Sequence, residues 1–348
     1  EAALGKIGAA GAEYRIEIPS AGNADLAVPC FQMSKSMRKA PKAIAEELAA
    51  AIEPAGMIAS IDALNGYLNF TMDPEILTRR TIDEILESGS CYGGHGKNGI
   101  RVNVEHTSTN PTGPIHVGRA RNPIIGDTLA RAMKLRGYDV TTEYYVNDVG
   151  KQVVILTWGV NNIPPEDVEK ADREKADHAL VAYYRAANRM MESDPEVQEK
   201  IADLLRRFEA GDSKVISEVR KTAQRMLDGL KETLESINVG LDVYTWESRF
   251  IADGTARSVV EQNTKFTFTR ADGTTLYTTR DLAYHLDKFK RADRVIDVLG
   301  EDQKLGSKQL CSALEILGCE RKPEALFYSF VSLPEGKMST RKGVVVYL

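Results

Sequence analysis

Between residues 101 and 146 the hydrophobic period changes twice. Val102 and Val104 alternate with polar neighbours, Pro111, Gly113 and Pro114 break the pattern, and Ile124, Ile125, Leu129, Met133 and Leu135 then recur at helical spacing. Residues 138–146 return to a strand-like run, so the stretch predicts strand, loop, helix and strand, one unit of a parallel sheet. Further on, residues 176–191, 195–209 and 214–237 repeat apolar positions at helical spacing, with breaks at Asp194-Pro195 and Gly211-Asp212. That spacing predicts a helical insertion. Residues 265–270 and 275–279 flank Asp272-Gly273 and predict a hairpin, with a helix from Arg280. The apolar run 294–300 predicts a buried parallel strand, residues 305–317 its covering helix, and residues 325–333 a last strand. Near the N-terminus, residues 40–52 form an amphipathic pattern with Pro41 in the first turn, and residues 66–71 alternate as a strand.

Composition narrows the class of protein. At 348 residues, two or three domains are expected; 43% hydrophobic and 27% charged residues describe an ordinary globular chain. No apolar run is long enough to cross a bilayer and the first residues carry no secretory pattern, so no membrane partner and a cytoplasmic location are expected. The four cysteines are scattered and the five histidines show no ligand spacing with them, which argues against a disulfide framework and a zinc site; no metal ligands are assigned. A net charge of −5 gives no global attraction to nucleic acid, so any RNA contact must be local.

The loop after the first strand carries the chemistry. Gly/Pro-rich backbone feeding a helix N-terminus offers free N–H groups beside the positive end of the helix dipole, which suits phosphate. His116 can donate to a phosphate oxygen, and Gly118 lets a flat base approach the backbone. A lone His-x-Gly is a weak signal. The longer string Glu105-His-Thr-Ser-Thr-Asn110-Pro-Thr-Gly-Pro-Ile-His116-Val-Gly118-Arg119, however, closely resembles the first signature of class I aminoacyl-tRNA synthetases in its arginyl form. The family pattern has histidine where this chain has Arg119, which presents donors with more charge and longer reach. Pro123 should kink the following helix or delay its start.

Near the end, Lys337-Met338-Ser339-Thr340-Arg341-Lys342-Gly343 resembles the second signature in its arginyl variant, and residues 277–286 resemble the family segment that binds a guanidinium. The resemblance implies an α/β fold: a Rossmann-like parallel sheet of the class I synthetase catalytic domain, with a helical insertion and a small α+β N-terminal domain. It partitions the chain into a tRNA-contacting N-terminal domain (1–90, with a flexible glycine-rich linker over 87–99), the two catalytic halves (91–158 and 243–333), the insertion (159–242), and the basic loop with the start of a C-terminal region (334–348). It also implies that an anticodon-binding domain follows in the family, so these residues are a catalytic portion.

The same resemblance implies a mechanism. ATP with Mg²⁺ would activate L-arginine to arginyl-adenylate for transfer to tRNA(Arg), by a protein expected to be monomeric. His116, Arg119, Lys337 and Lys342 would stabilise phosphate charge; Gly118, Gly300, Asp302, Met338 and Ser339 would join His116 and Lys337 in holding ATP. Guanidinium is a planar fork of donors, so its site needs acceptors. Asp281 and Tyr277 would take that end, Glu105 and Asn110 the ammonium and carboxylate end, with Gln303 alongside. The competing expectation is a non-catalytic paralogue that binds arginine or tRNA, motivated by Arg119.

Overall fold

The computed structural model describes residues 1–348 except 21, 23, 262–276, 333–337 and 339–344, and, for side chains, 257, 260, 261, 277 and 278. The chain divides into two compact units, residues 1–93 and 94–348.

In the first unit, α1 (Ala2–Lys6), β1 (Leu26–Pro29), α2 (Phe31–Met37), α3 (Pro41–Ala51), β2 (Ile58–Leu64), β3 (Tyr67–Met72) and α4 (Pro74–Ser88) follow in order. The three strands pair antiparallel in the order β1-β3-β2. Pro41 occupies the first helical turn, where its missing N–H has no intrahelical partner to lose. The buried face of α3, Ile44, Ala45 and Leu48, then packs with Val28, Met33 and Leu68.

In the second unit, β4 (Arg101–Glu105), α5 (Arg121–Leu135) and β5 (Asp139–Val146) form the first crossover. Four helices follow, α6 (Lys151–Asn162), α7 (Ala176–Ser193), α8 (Pro195–Glu209) and α9 (Ser213–Ser236). Then come β6 (Val243–Trp246), α10 (Arg249–Ala252), α11 (Thr255–Glu261), α12 (Tyr277–Arg291), β7 (Arg294–Gly300), α13 (Lys304–Ile316) and β8 (Glu324–Tyr328). The strands form one parallel sheet in the order β6-β5-β4-β7-β8. Strand order reverses between β4 and β7, and the crevice beyond the carboxyl ends at such a switch point is where open α/β sheets bind ligands.

Several local features, some as expected and some not, have identifiable physical causes. The helix start at Arg121 is not delayed: Pro123 falls in the first turn of α5, where no N–H bond is lost. Asp194 and Asp212 each cap a following helix through a carboxylate oxygen, which sets the breaks between α7, α8 and α9. α6 straddles the sequence boundary at 158/159, but its buried Val153, Val154 and Leu156 share one core with Leu180, Ile201 and Met226 of α7–α9. The linker is only partly a free connection, because His95 N donates to Leu135 O (2.8 Å) and Asn98 N to Gly137 O (2.9 Å) at the end of α5. Most of the expected hairpin lies outside the described residues; its last three positions, 277–279, form the first turn of α12 instead of a strand.

Candidate active site

The loop leaving β4 is held by side chains of the loop and of the elements beside it. Thr107 and Ser108 have positive φ (70° and 33°), and bonds from outside the loop fix them there. Thr107 N donates to Asn122 Oδ1 of α5 at 2.6 Å, Ser108 Oγ donates to Glu105 Oε1 at 2.8 Å, and Tyr145 N donates to Ser108 Oγ at 3.0 Å. His106 is fully buried, with Nδ1 2.9 Å from Thr107 Oγ1 and its ring against Gly126 of α5.

His116 leads a 3₁₀ turn, Val117–Arg119, that runs into α5. Arg119 N donates to His116 O at 2.9 Å. Burial and the neighbouring Arg119 charge push the His116 imidazole below its usual range, so at neutral pH the ring is uncharged and offers one N–H rather than a positive charge. Its buried Nδ1 has no partner among the described residues. A Cβ on Gly118 would lie 2.8 Å from His116 Nδ1 and 3.1 Å from Val331 O, so only glycine fits between the imidazole and the strand-end backbone. Beyond the second signature, the chain returns to the first: Val117 N donates to Val346 O (2.8 Å), Leu348 N to Ile115 O (2.9 Å), and His116 bridges Tyr347.

The other expected phosphate-site positions are distributed as follows. Met338 is half-buried, while Lys337, Ser339 and Lys342 lie outside the described residues. Gly300 ends β7 with Phe330 and Asp302 in the space a side chain would take. Asp302 and Gln303 are exposed on the turn that follows.

The expected amino-acid site separates into two groups. Asn110 donates to Gln152 Oε1 at 3.2 Å and lines a cavity of about 410 Å³ with Asn147 after β5 and Tyr184 and Asn188 of α7. Glu105 and Asp281 instead belong to one network at the switch point, buried at its centre and half-exposed at Asp281. Glu105 lies opposite Asp297 in the β4–β7 register, and the ammonium of Lys288 from α12 bonds both, at 2.8 Å to Asp297 Oδ1. Asp297 Oδ2 lies 2.9 Å from His285 Nε2, and His285 Nδ1 lies 3.2 Å from Asp281 Oδ1. Glu105, His285 and Asp297 have the donor types and spacing of a metal site, but the Lys288 ammonium already supplies the cation between the two carboxylates. The set does not fit a metal ion. Tyr277 begins α12, and its side chain lies outside the described residues.

Sequence reasoning missed several members of this network. Asp281, His285 and Lys288 recur at i, i+4 and i+7, one helix face. A charged stripe of that kind reads equally well as a solvated face, yet Lys288 is 0% exposed. Tyr145 and Tyr284 stack above it at 4.3 Å, both hydroxyls buried and without partners among the described residues. Glu247 is buried against Arg280, and burial pushes its carboxyl up to about 7.

A family model described as "tRNA synthetases class I (R), catalytic domain" matches residues 81–265, and one described as "Arginyl tRNA synthetase N terminal domain" matches residues 1–72. An arginine–tRNA ligase of Methanocella arvoryzae is 42% identical over 341 residues, 91% of this chain and 60% of the relative. One from Methanocaldococcus jannaschii is 39% identical over 344 residues, 90% of this chain and 60% of the relative. The chain thus spans about three fifths of the length of these curated relatives. Among solved structures, Thermus thermophilus arginyl-tRNA synthetase superposes with a TM-score of 0.68 at 23% identity, covering 99% of this chain and 66% of that one, which shows the shared fold. With a catalytic-domain model matched over more than half its length and the matching N-terminal domain ahead of it, the chain belongs to the arginyl group of class I tRNA synthetases.

Proposed function

We propose that this chain carries the catalytic portion of an arginine–tRNA ligase, which activates L-arginine with ATP and transfers it to tRNA(Arg). The observation that carries the reading is the hydrogen-bonded charge network joining Glu105 to Asp281 at the β4–β7 switch point, in a chain of this family. A substrate with an ammonium at one end and a guanidinium at the other needs two separated carboxylates, and this network holds two.

In the first step, one oxygen of the arginine carboxylate attacks the α-phosphorus of ATP, supplied as its magnesium complex. The bond to the β-phosphate oxygen breaks and pyrophosphate leaves with that electron pair. In the second, a terminal ribose hydroxyl of tRNA attacks the arginyl carbonyl, AMP leaves, and the hydroxyl proton goes to solvent or phosphate. Neither step needs a covalent enzyme intermediate, so positioning and charge placement lower the barrier. Neutral His116 donates a hydrogen bond, Arg119, Lys337 and Lys342 supply positive charge, and Gly118 lets the nucleotide approach the backbone. Gly300, Asp302, Met338 and Ser339 complete the nucleotide contacts. Asp281, with Tyr277 and Gln303, takes the guanidinium; Glu105 and Asn110 take the ammonium and carboxylate end. Residues 1–90 contact tRNA outside the active site, and the protein works as a cytoplasmic monomer.

Arginine-dependent exchange of pyrophosphate into ATP, measured with and without tRNA on the full-length protein, tests this. Exchange with arginine and no other amino acid is expected. Arginine binding without exchange under either condition would contradict the ligase reading and favour a non-catalytic paralogue.

A further inference from the structure

Six side chains form one continuous path, fully buried at Lys288 and opening to solvent at Asp281. Ser108 Oγ donates to Glu105 Oε1; Lys288 joins Glu105 Oε2 to Asp297 Oδ1; Asp297 Oδ2 meets His285 Nε2; and His285 Nδ1 reaches Asp281. The path begins beside the carboxylate read above as the ammonium partner and ends on the one read as the guanidinium partner. We propose that Lys288 is a positioning residue for the amino-acid site, holding and aiming Glu105 from one side while it fixes Asp281 from the other through Asp297 and His285. This inference rests on the proposed arginine site.

The charge balance supports it. Lys288 is faced by Glu105 from β4, Glu143 from β5, Asp297 from β7, and Tyr284 and His285 from its own helix, with the Tyr284 ring 4.2 Å from Nζ. Glu143 is already paired with Arg291, and Cys311 of α13 lies within electrostatic reach of Asp297 and His285. The Glu105 carboxyl sits above its ordinary value: burial pushes it up most, Lys288 pulls it back, Asp297 pushes it up again and the His285 charge draws it down. Removing the ammonium therefore leaves burial and Asp297, which favour the protonated acid, opposed by the His285 charge. A neutral Glu105 loses its attraction for an ammonium group.

Burial and Lys288 both disfavour the His285 imidazolium, but Asp297 and Asp281 outweigh them and raise it to about 10. His285 is thus positive at neutral pH, with Nε2 donating to Asp297 and Nδ1 to the Asp281 backbone carbonyl at 2.8 Å, the Asp281 carboxylate lying beside it at 3.2 Å. Lys288 and His285 together hold Asp297 well below the usual carboxylate range against the effect of burial, so Asp297 stays an anion between two cations. Lys288 is the member that reaches both strands across the switch point.

The test is calorimetric titration of L-arginine into the 348-residue chain between pH 6 and 8.5, for the native protein, Lys288→Met and Lys288→Arg, with ATP titrated as a control. The native protein should bind arginine with a flatter profile than Lys288→Met. Lys288→Met should bind it about tenfold more weakly or worse near pH 6, because each unit by which Glu105 rises is a factor of ten, and should recover as pH increases. Lys288→Arg should restore the flatter profile, and ATP affinity should hold in both variants. Should Lys288→Met not fold, Lys288→Gln carries the same expectation.

Arginine affinity unchanged in Lys288→Met, or lost equally at every pH together with ATP affinity, would overturn the positioning role while leaving the site reading intact. No arginine binding by the native chain at any pH would overturn the site reading itself, and this inference with it.

Discussion

Asp281 Oδ1 lies 3.2 Å from Nδ1 of His285, one helical turn further along α12. The imidazolium formed there is held between two carboxylates, Asp281 and Asp297, and has consequences for stability. Its ordinary value of 6.5 is raised to about 10 in the folded protein, despite burial. A raised base binds more protons folded than unfolded between those two values. Its stabilisation is therefore complete below pH 6.5 and is lost as pH rises through 10. The expected slope from this group is at most about 1.4 kcal/mol per pH unit across that window. Urea unfolding at pH 7, 8 and 9 should show the decline in the native chain and a flatter profile in His285→Gln; equal slopes would exclude the assignment.

The opposite pH dependence is expected at His106. The ring is fully buried against Gly126, where a Cβ would come within 2.2 Å of its Cγ. Burial pushes the imidazole from 6.5 down to about 4, and Nε2 has no partner among the described residues. The unfolded chain takes up a proton below pH 6.5 that the folded chain resists until about 4, so stability falls as pH falls through that window. By pH 5 the loss should be about 2 kcal/mol relative to neutral. Comparing unfolding free energies at pH 7 and 5 in the native protein and His106→Asn isolates the term, and a difference of zero between the two proteins would remove it.

Gly118 gives a prediction that separates nucleotide binding from amino-acid binding. A Cβ placed there would lie 3.1 Å from the Val331 carbonyl oxygen, and that backbone cannot swing aside as a flexible side chain could. Gly118→Ala should displace the turn and His116, weakening ATP by roughly tenfold or more, an overpacking cost of about 1–3 kcal/mol. Arginine affinity should change far less, because Gly118 does not touch the Glu105–Lys288–Asp297–His285 path. Parallel titrations of ATP and arginine check the split, and equal losses of both would contradict it.

Local signals made much of the fold legible. Val102/Val104 alternation, the apolar run 295–299 and the Asp-capped helices 195–209 and 213–236 all declare their elements within a few residues. Other features depend on distant partners. The order β6-β5-β4-β7-β8 pairs strands separated by as many as 190 residues, which no local period encodes. Thr278 and Thr279 favour a strand by propensity, yet they open α12, where Thr279 is fully buried and tertiary packing decides. Of the site, Glu105, His116 and Gly118 sit on a readable motif. Lys288 and Asp297 do not, because a buried lysine is recognisable only once the carboxylates from β4 and β7 are known to face it.

The account turns on whether Asp281 receives a guanidinium. L-Arginine and L-citrulline, which has the same shape but a neutral urea group, should be titrated into the native chain and into Asp281→Asn. The native chain should bind arginine and reject citrulline. Asp281→Asn should lose roughly 3–5 kcal/mol of arginine binding, more than about a hundredfold, through loss of the paired charge, with ATP affinity unchanged. Arginine affinity that survives in Asp281→Asn, or citrulline bound by the native chain as tightly as arginine, would contradict the assignment.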